Sequence, residues 1–236
     1  MFRAAYDSAW QHPGIAFIAG GPLLGLGLVA AARARQRRDL DPRRRAWLLS
    51  FLMLELAILL DAWCTSAWSP FGTHGVAADS AAAFFVVVGD LRFFYLVERQ
   101  RGELTASART RLRALSIALP VSLVVPIATA IGGRIAPDRL RGHRLYLVYE
   151  LALLALVLVF ALSRMPSAAD GADRRRRYVL RLLVLETMQY ALWALADALI
   201  LSGRDHGYLI RMLPNALYYA AFVPVATLAT PAGSRT

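Results

Sequence analysis

The residues of this sequence with the most chemistry to offer are polar side chains set inside long apolar runs. Glu55, Asp61, Asp90, Glu150, Glu186 and Asp197 each interrupt such a run, as do Arg92, Arg211, Gln189 and Asn215. A charge in an apolar medium is costly, so each is a candidate functional residue. These six acids face only Arg92 and Arg211. The excess must be protonated, hydrated or bound to a cation, because an isolated charge is not stable there. Glu55, Asp90, Arg92 and Glu186 fall near the middle of their runs, where carriers built from repeats place their sites. Asp61, Glu150, Asp197 and Asn215 fall nearer one end. Two chemistries are open. Arg92 can pair with Asp90 and Glu55 in a network that only fixes helix register. Alternatively, Glu55, Glu186, Asp90, Arg92, Gln189, Asp61, Asp197 and Asn215 contact a transported proton, cation or solute.

Catalytic candidates are few. No histidine lies within an apolar run, and the sequence contains no HxxxD or HExxH arrangement. Lysine is absent, all 27 basic residues being arginine; this removes Schiff-base, PLP and Walker-A chemistry. Cys64 is the single cysteine, which excludes a disulfide within the chain, a cysteine zinc site and an iron–sulfur cluster. His12, His74, His143 and His206 lie in connecting segments, near Asp7, Asp79, Asp138 and Asp205. Such a mouth can sense pH or hold a metal, but no two histidines stand four residues apart. No catalytic residue, metal or cofactor is assigned.

The elements that must position these groups follow from composition. The 236 residues are 58% hydrophobic and 18% charged, with a net charge of +11 and a mean hydropathy of +0.46. A soluble domain is roughly 45–50% apolar. Apolar stretches at about 15–32, 46–68, 80–98, 114–133, 144–163, 178–202 and 208–229 are each near the roughly 20 residues that cross a bilayer as a helix. None alternates with the period of a membrane β-barrel. The expected fold is all-α: an integral membrane bundle of seven transmembrane helices.

Arginine clusters in the segments after the first, third and fifth stretches: Arg33 to Arg45, Arg99 to Arg113, and Arg164 to Arg177. Basic loops stay cytoplasmic, which places the N-terminus outside and the C-terminus inside; Arg134 to Arg144 runs against this. The same arginines suit anionic lipid headgroups, and no nucleic-acid partner is expected. The first apolar run exceeds the core of a signal peptide and is followed by arginines, so it reads as an uncleaved span.

Sliding the chain along itself by 131 residues brings His12 onto His143, Arg33 onto Arg164, Asp39 onto Asp170 and Glu55 onto Glu186. The basic run Arg43–Arg45 falls on Arg174–Arg176, and Gly72 on Gly203. Arginine-rich composition and the loop-charge rule would by themselves place arginines before helices 2 and 6. The gapless match carrying Glu55/Glu186 and His12/His143 goes further. It suggests a parallel 3+1+3 internal repeat, with copies at about 12–98 and 143–229 around a linking helix at about 114–133. In topology this plan resembles the sugar-exporter (SWEET), PQ-loop and KDEL-receptor proteins, and loosely the microbial rhodopsins. The chain has no Pro-Gln dipeptide and no lysine for retinal, so the resemblance covers architecture only.

Gly21 and Gly25 form a GxxxG spacing suited to close helix packing and a possible oligomer face. Pro120, Pro126, Pro214 and Pro224 favour kinks. Tyr218 and Tyr219 beside Asn215 either line a cavity or join an interfacial aromatic belt. The leading expectation is a small-solute or cation/proton-linked carrier, multi-pass in a bacterial inner (cytoplasmic) membrane, whose partners are the lipid bilayer and an unknown small solute or cation. The alternatives are a retinal-free seven-helix sensor acting through a partner, and an integral-membrane enzyme acting on a lipid.

Overall fold

The computed structural model describes residues 1–9, 27, 53, 56–61, 63–65, 69–72, 74–100, 108–166, 172–222 and 225–226. The expected span at 15–32, most of that at 46–68, the Gly21/Gly25 face and Glu55 lie outside the described residues. So does much of the first repeat copy.

The described residues are helical, with no strand among them. They form α1 (Phe2–Ala9), α2 (Val76–Arg99), α3 (Ala108–Ile135), α4 (His143–Ser163), α5 (Ala172–Leu201) and α6 (Gly207–Ala216). The last runs directly into a π-helical turn, Leu217–Ala221. Helices α2 to α5 are each long and apolar enough to cross a membrane. Their 21 to 30 residues span about 32–45 Å at 1.5 Å per residue. They coincide closely with the third to sixth stretches read from hydropathy, and α3 and α5 begin six residues earlier because helix continues through the flanking arginine turns. Helix α6 and its π turn occupy the seventh stretch.

The bundle exposes many large apolar side chains and buries polar ones beside an apolar core. Leu112, Val124, Ile127, Leu151, Val159, Val184 and Met188 are exposed, while Arg92, Glu186, Gln189 and Asp197 are buried. An outer surface of branched apolar residues around a polar interior suits lipid on the outside. Consecutive helices pack against each other, α2 on α3, α4 on α5 and α5 on α6, and the short α1 packs on α6.

Because the helices alternate in direction, the bundle has two unlike ends. His143 and His206 begin α4 and α6 at one end, and His74 just precedes α2 there. The other end carries the arginine-bearing starts of α3 and α5, and there Arg164 pairs with Glu98 at 3.3 Å. The apolar core fills the arginine end, built from Phe93, Phe94, Val97, Val157, Phe160, Tyr178 and Leu182. Phe94 meets Phe160 edge to face at 5.1 Å. The arginine end also buries Glu98, Arg99 and Gln100, while the histidine half holds Asp90, Glu150 and Asp197.

Two local devices fix that end. Gly203, at φ 79°, closes α5: its N–H donates to Ile200 O at 2.9 Å, and Arg204 N–H donates to Leu199 O at 2.9 Å. This paired pattern needs a left-handed residue, which glycine adopts without strain, and it sends the chain into α6 within five residues. Helix α3 continues through Pro120 and Pro126. Thr129 Oγ1 there donates back to Val125 O at 2.8 Å.

Candidate functional site

A cavity of about 480 Å³ opens between the helices in the histidine half of the bundle. Asp90 enters it from α2; Tyr146, Tyr149 and Glu150 from α4; Tyr190 and Trp193 from α5. Helix α6 and its π turn contribute Arg211, Asn215, Tyr218 and Tyr219. Asp61 and Thr65 come from the segment before α2, and Tyr6 from α1. Thr65 and Tyr146 are exposed, so the cavity reaches the surface.

Both aspartates are held by hydroxyl groups. Tyr149 Oη donates to Asp90 Oδ2, and Tyr190 Oη donates to Asp90 Oδ1 at 2.5 Å. Thr65 Oγ1 donates to the Asp61 backbone carbonyl at 2.7 Å and lies 3.2 Å from Asp61 Oδ1, and Tyr219 Oη donates to Asp61 Oδ2 at 3.3 Å. The hydroxyls fix the orientation of each carboxyl group.

Arg211 serves a second cluster. It pairs with Glu150 Oε1 at 3.5 Å and with Asp197, whose Oδ1 also meets His143 Nδ1 at 2.9 Å. Tyr208 Oη reaches His143 Nε2 at 3.4 Å. Glu150 Oε2 and Asp197 Oδ2 are buried without a hydrogen-bond partner among the described residues. One guanidinium therefore stands between two acids.

A third set of bonds ties α1 to the cavity wall. Trp193 Nε1 donates to Asn215 Oδ1 at 2.9 Å, and Asn215 Nδ2 donates to Tyr6 Oη at 3.2 Å. At the start of α1, the Met1 amine and Phe2 N–H both donate to Asp205, at 3.1 and 3.0 Å. Tyr6 is 6% exposed, covered between α1 and α6.

The π turn places two consecutive tyrosines on the cavity. Phe222 N–H bonds Leu217 O, the five-residue closure that marks such turns, which recur at functional sites. Behind it, Arg92 is wholly buried: its guanidinium stacks 4.3 Å from the Tyr218 ring centre and 3.9 Å from that of Phe222. Arg92 NH1 donates to Tyr218 O at 3.0 Å.

Of the residues singled out from sequence, Asp61, Asp90 and Asn215 line the cavity, and Asp197 stands next to it through Arg211. Arg92 lies behind the Tyr218 wall. Glu186 and Gln189 are buried together, with Gln189 Nε2 donating to Glu186 Oε2 at 3.2 Å, and neither lines the cavity. Of the expected Arg92 network with Asp90 and Glu55, no Asp90–Arg92 ion pair occurs among the described residues, and Glu55 lies outside them. Asp90 and Arg92 stand two residues apart on one helix and so face different sides. Tyr149 and Tyr190, the actual partners of Asp90, are not distinguished in sequence from other buried aromatics. No group of three or more His, Cys, Asp or Glu among the described residues could hold a metal ion.

Fold and site together define an apolar helical bundle with a polar, aromatic cavity in one half. No known protein family, curated protein or solved structure matches the chain.

Proposed function

We propose that this chain is a multi-pass membrane protein that binds a small solute or cation in the cavity of its histidine half and carries it across the bilayer. The observation that carries this reading is the cavity itself: about 480 Å³, lined by Asp61, Asp90 and Glu150 amid tyrosines, inside a bundle whose outer face is apolar. That volume falls among pockets for small ligands, roughly 300–1,000 Å³. Carboxylates kept inside a membrane bundle mark ion and substrate pathways. The arginine segments favour seven spans with the histidine end outside. The π turn and α3 prolines supply helices able to bend during alternating access.

A carrier exposes its cavity to each face in turn; a receptor exposes it to one. In a Cys64→Ser background, Asn215→Cys should react with a membrane-impermeant thiol reagent added to right-side-out vesicles and, separately, to inside-out vesicles. Reaction from one face alone would make the protein a receptor-like binder. Protection from both would remove the cavity from the pathway.

A further inference from the structure

We infer that the cavity takes an organic ammonium ion, its charge held by Asp61 and Asp90 within a cage of aromatic rings. The inference rests on the cavity being the ligand site and adds the chemical class of the ligand.

The charge of the cavity is the first step. Asp61 and Asp90 are each approached by two hydroxyls, of which Thr65 donates chiefly to the Asp61 backbone carbonyl, and neither carboxyl is bonded to an arginine among the described residues. A carboxylate has about four acceptor positions, so two hydroxyls leave each with room for a further donor. Arg211, the cation in the lining, is already divided between Glu150 and Asp197. Glu150 adds an independent sign. Its side chain is 5% exposed, it lines the cavity, and its Oε2 has no hydrogen-bond partner among the described residues. Among the described lining residues, three acids stand with one guanidinium that is already committed, which disfavours an anionic ligand.

The walls decide between kinds of cation. A bare metal ion wants several oxygen ligands converging at short range, and no cluster of that kind occurs among the described residues. The space is also far larger than an ion. Tyr149, Tyr190, Trp193 and Tyr219 instead line the space, and aromatic rings attract ammonium groups, most strongly where water is excluded. Tyr218 already carries Arg92 on its ring and counts as wall rather than cage. Carboxylates with unfilled acceptor positions, aromatic rings and a cavity of small-molecule size fit an alkylated or protonated amine.

The test compares choline with its uncharged isostere 3,3-dimethyl-1-butanol, and tetraethylammonium with sodium at equal ionic strength. Thermal unfolding and tryptophan fluorescence of the full chain in detergent give the readouts. Choline or tetraethylammonium should raise Tm in a saturable way, while the alcohol and sodium should not. Asp61→Asn and Asp90→Asn should each weaken the ammonium response on the order of tenfold. Equal stabilisation by the uncharged alcohol would overturn the inference in favour of an apolar pocket. An equal effect of sodium would reduce it to general electrostatics, and no response to either ammonium would also overturn it. The comparison of isosteres on the unmodified chain holds even if an aspartate variant fails to fold. Vesicle labelling at Asn215→Cys separates this from the carrier reading. Two-sided access without ammonium binding removes the ligand class alone, and ammonium binding with one-sided access removes the carrier alone.

Discussion

Gly89 of α2 lies directly against the hydroxyl of Tyr218: a methyl group added at Gly89 would stand 2.3 Å from Tyr218 Oη and 3.1 Å from two ring carbons. The contact sets how closely α2 approaches the π turn. Tyr218 cannot easily yield, because Arg92 stacks on it and Tyr219 meets it edge to face at 4.7 Å. Gly89→Ala should therefore cost about 1–3 kcal/mol, the usual penalty of overpacking, measured by thermal unfolding in detergent. Adding Tyr218→Phe, which removes the clashing oxygen, should recover part of the loss. If it recovers none, the contact is not the cause.

Arg211 is shared by Glu150 and Asp197, both buried. Arg211→Ala strands Glu150 and leaves Asp197 with His143 alone, and breaking a buried pair from one side typically costs about 3–5 kcal/mol. Folded yield should fall sharply. Arg211→Ala with Glu150→Gln should fold better than the single variant, because the stranded acid is gone. Equal yields from the two would show that Glu150 does not depend on Arg211.

Arg92 is held by ring faces and a carbonyl, a setting that suits a planar guanidinium and not an ammonium. Arg92→Lys should restore less than half of the unfolding temperature lost in Arg92→Ala. Adding Asp90→Asn to Arg92→Ala should give little rescue, since Asp90 is bonded by Tyr149 and Tyr190. Full rescue would reinstate a direct dependence of Asp90 on Arg92.

Asp205 lies in the exposed turn before α6. The backbone N–H of Phe2, and after it the Met1 amine, hold its carboxyl below the ordinary value of 3.8. A depressed carboxyl contributes stability that is present above its unfolded value and is lost as pH falls through the folded one. The protection factors of the α1 amides, that is, exchange relative to the unstructured rate at each pH, should accordingly hold above pH 3.8 and fall below it. Asp205→Asn should remove that dependence. An unchanged profile in the variant would place the acid sensitivity elsewhere.

Helices α2 to α5 were legible because lipid-facing helices must be apolar along their length, and that property needs no tertiary knowledge. Asp61, Asp90 and Asn215 were legible for the complementary reason: a polar group in such a run has few innocent explanations. Less could be read where identity alone does not reveal direction. Depth along the helices suggested Glu186 for a central site, yet it turns to Gln189, one helical turn away. Tyr149 and Tyr190 carry the hydroxyls that Asp90 needs, but in sequence they look like packing aromatics. Helix α1 is too short for a hydropathy signal, although Tyr6 reaches Asn215 across 209 residues of chain.

The π turn has a consequence for how such a cavity can change over generations. A turn closed five residues back holds one more residue than an α-helical turn, and one residue corresponds to about 100° of rotation. The wall bearing Tyr218 and Tyr219 is thus equivalent to a helix with a single inserted residue. Deleting one codon between Leu217 and Ala221 would restore ordinary winding and swing one tyrosine off the cavity, leaving every other side chain of the lining intact in kind. Ligand preference at this wall is open to revision by length as well as by substitution.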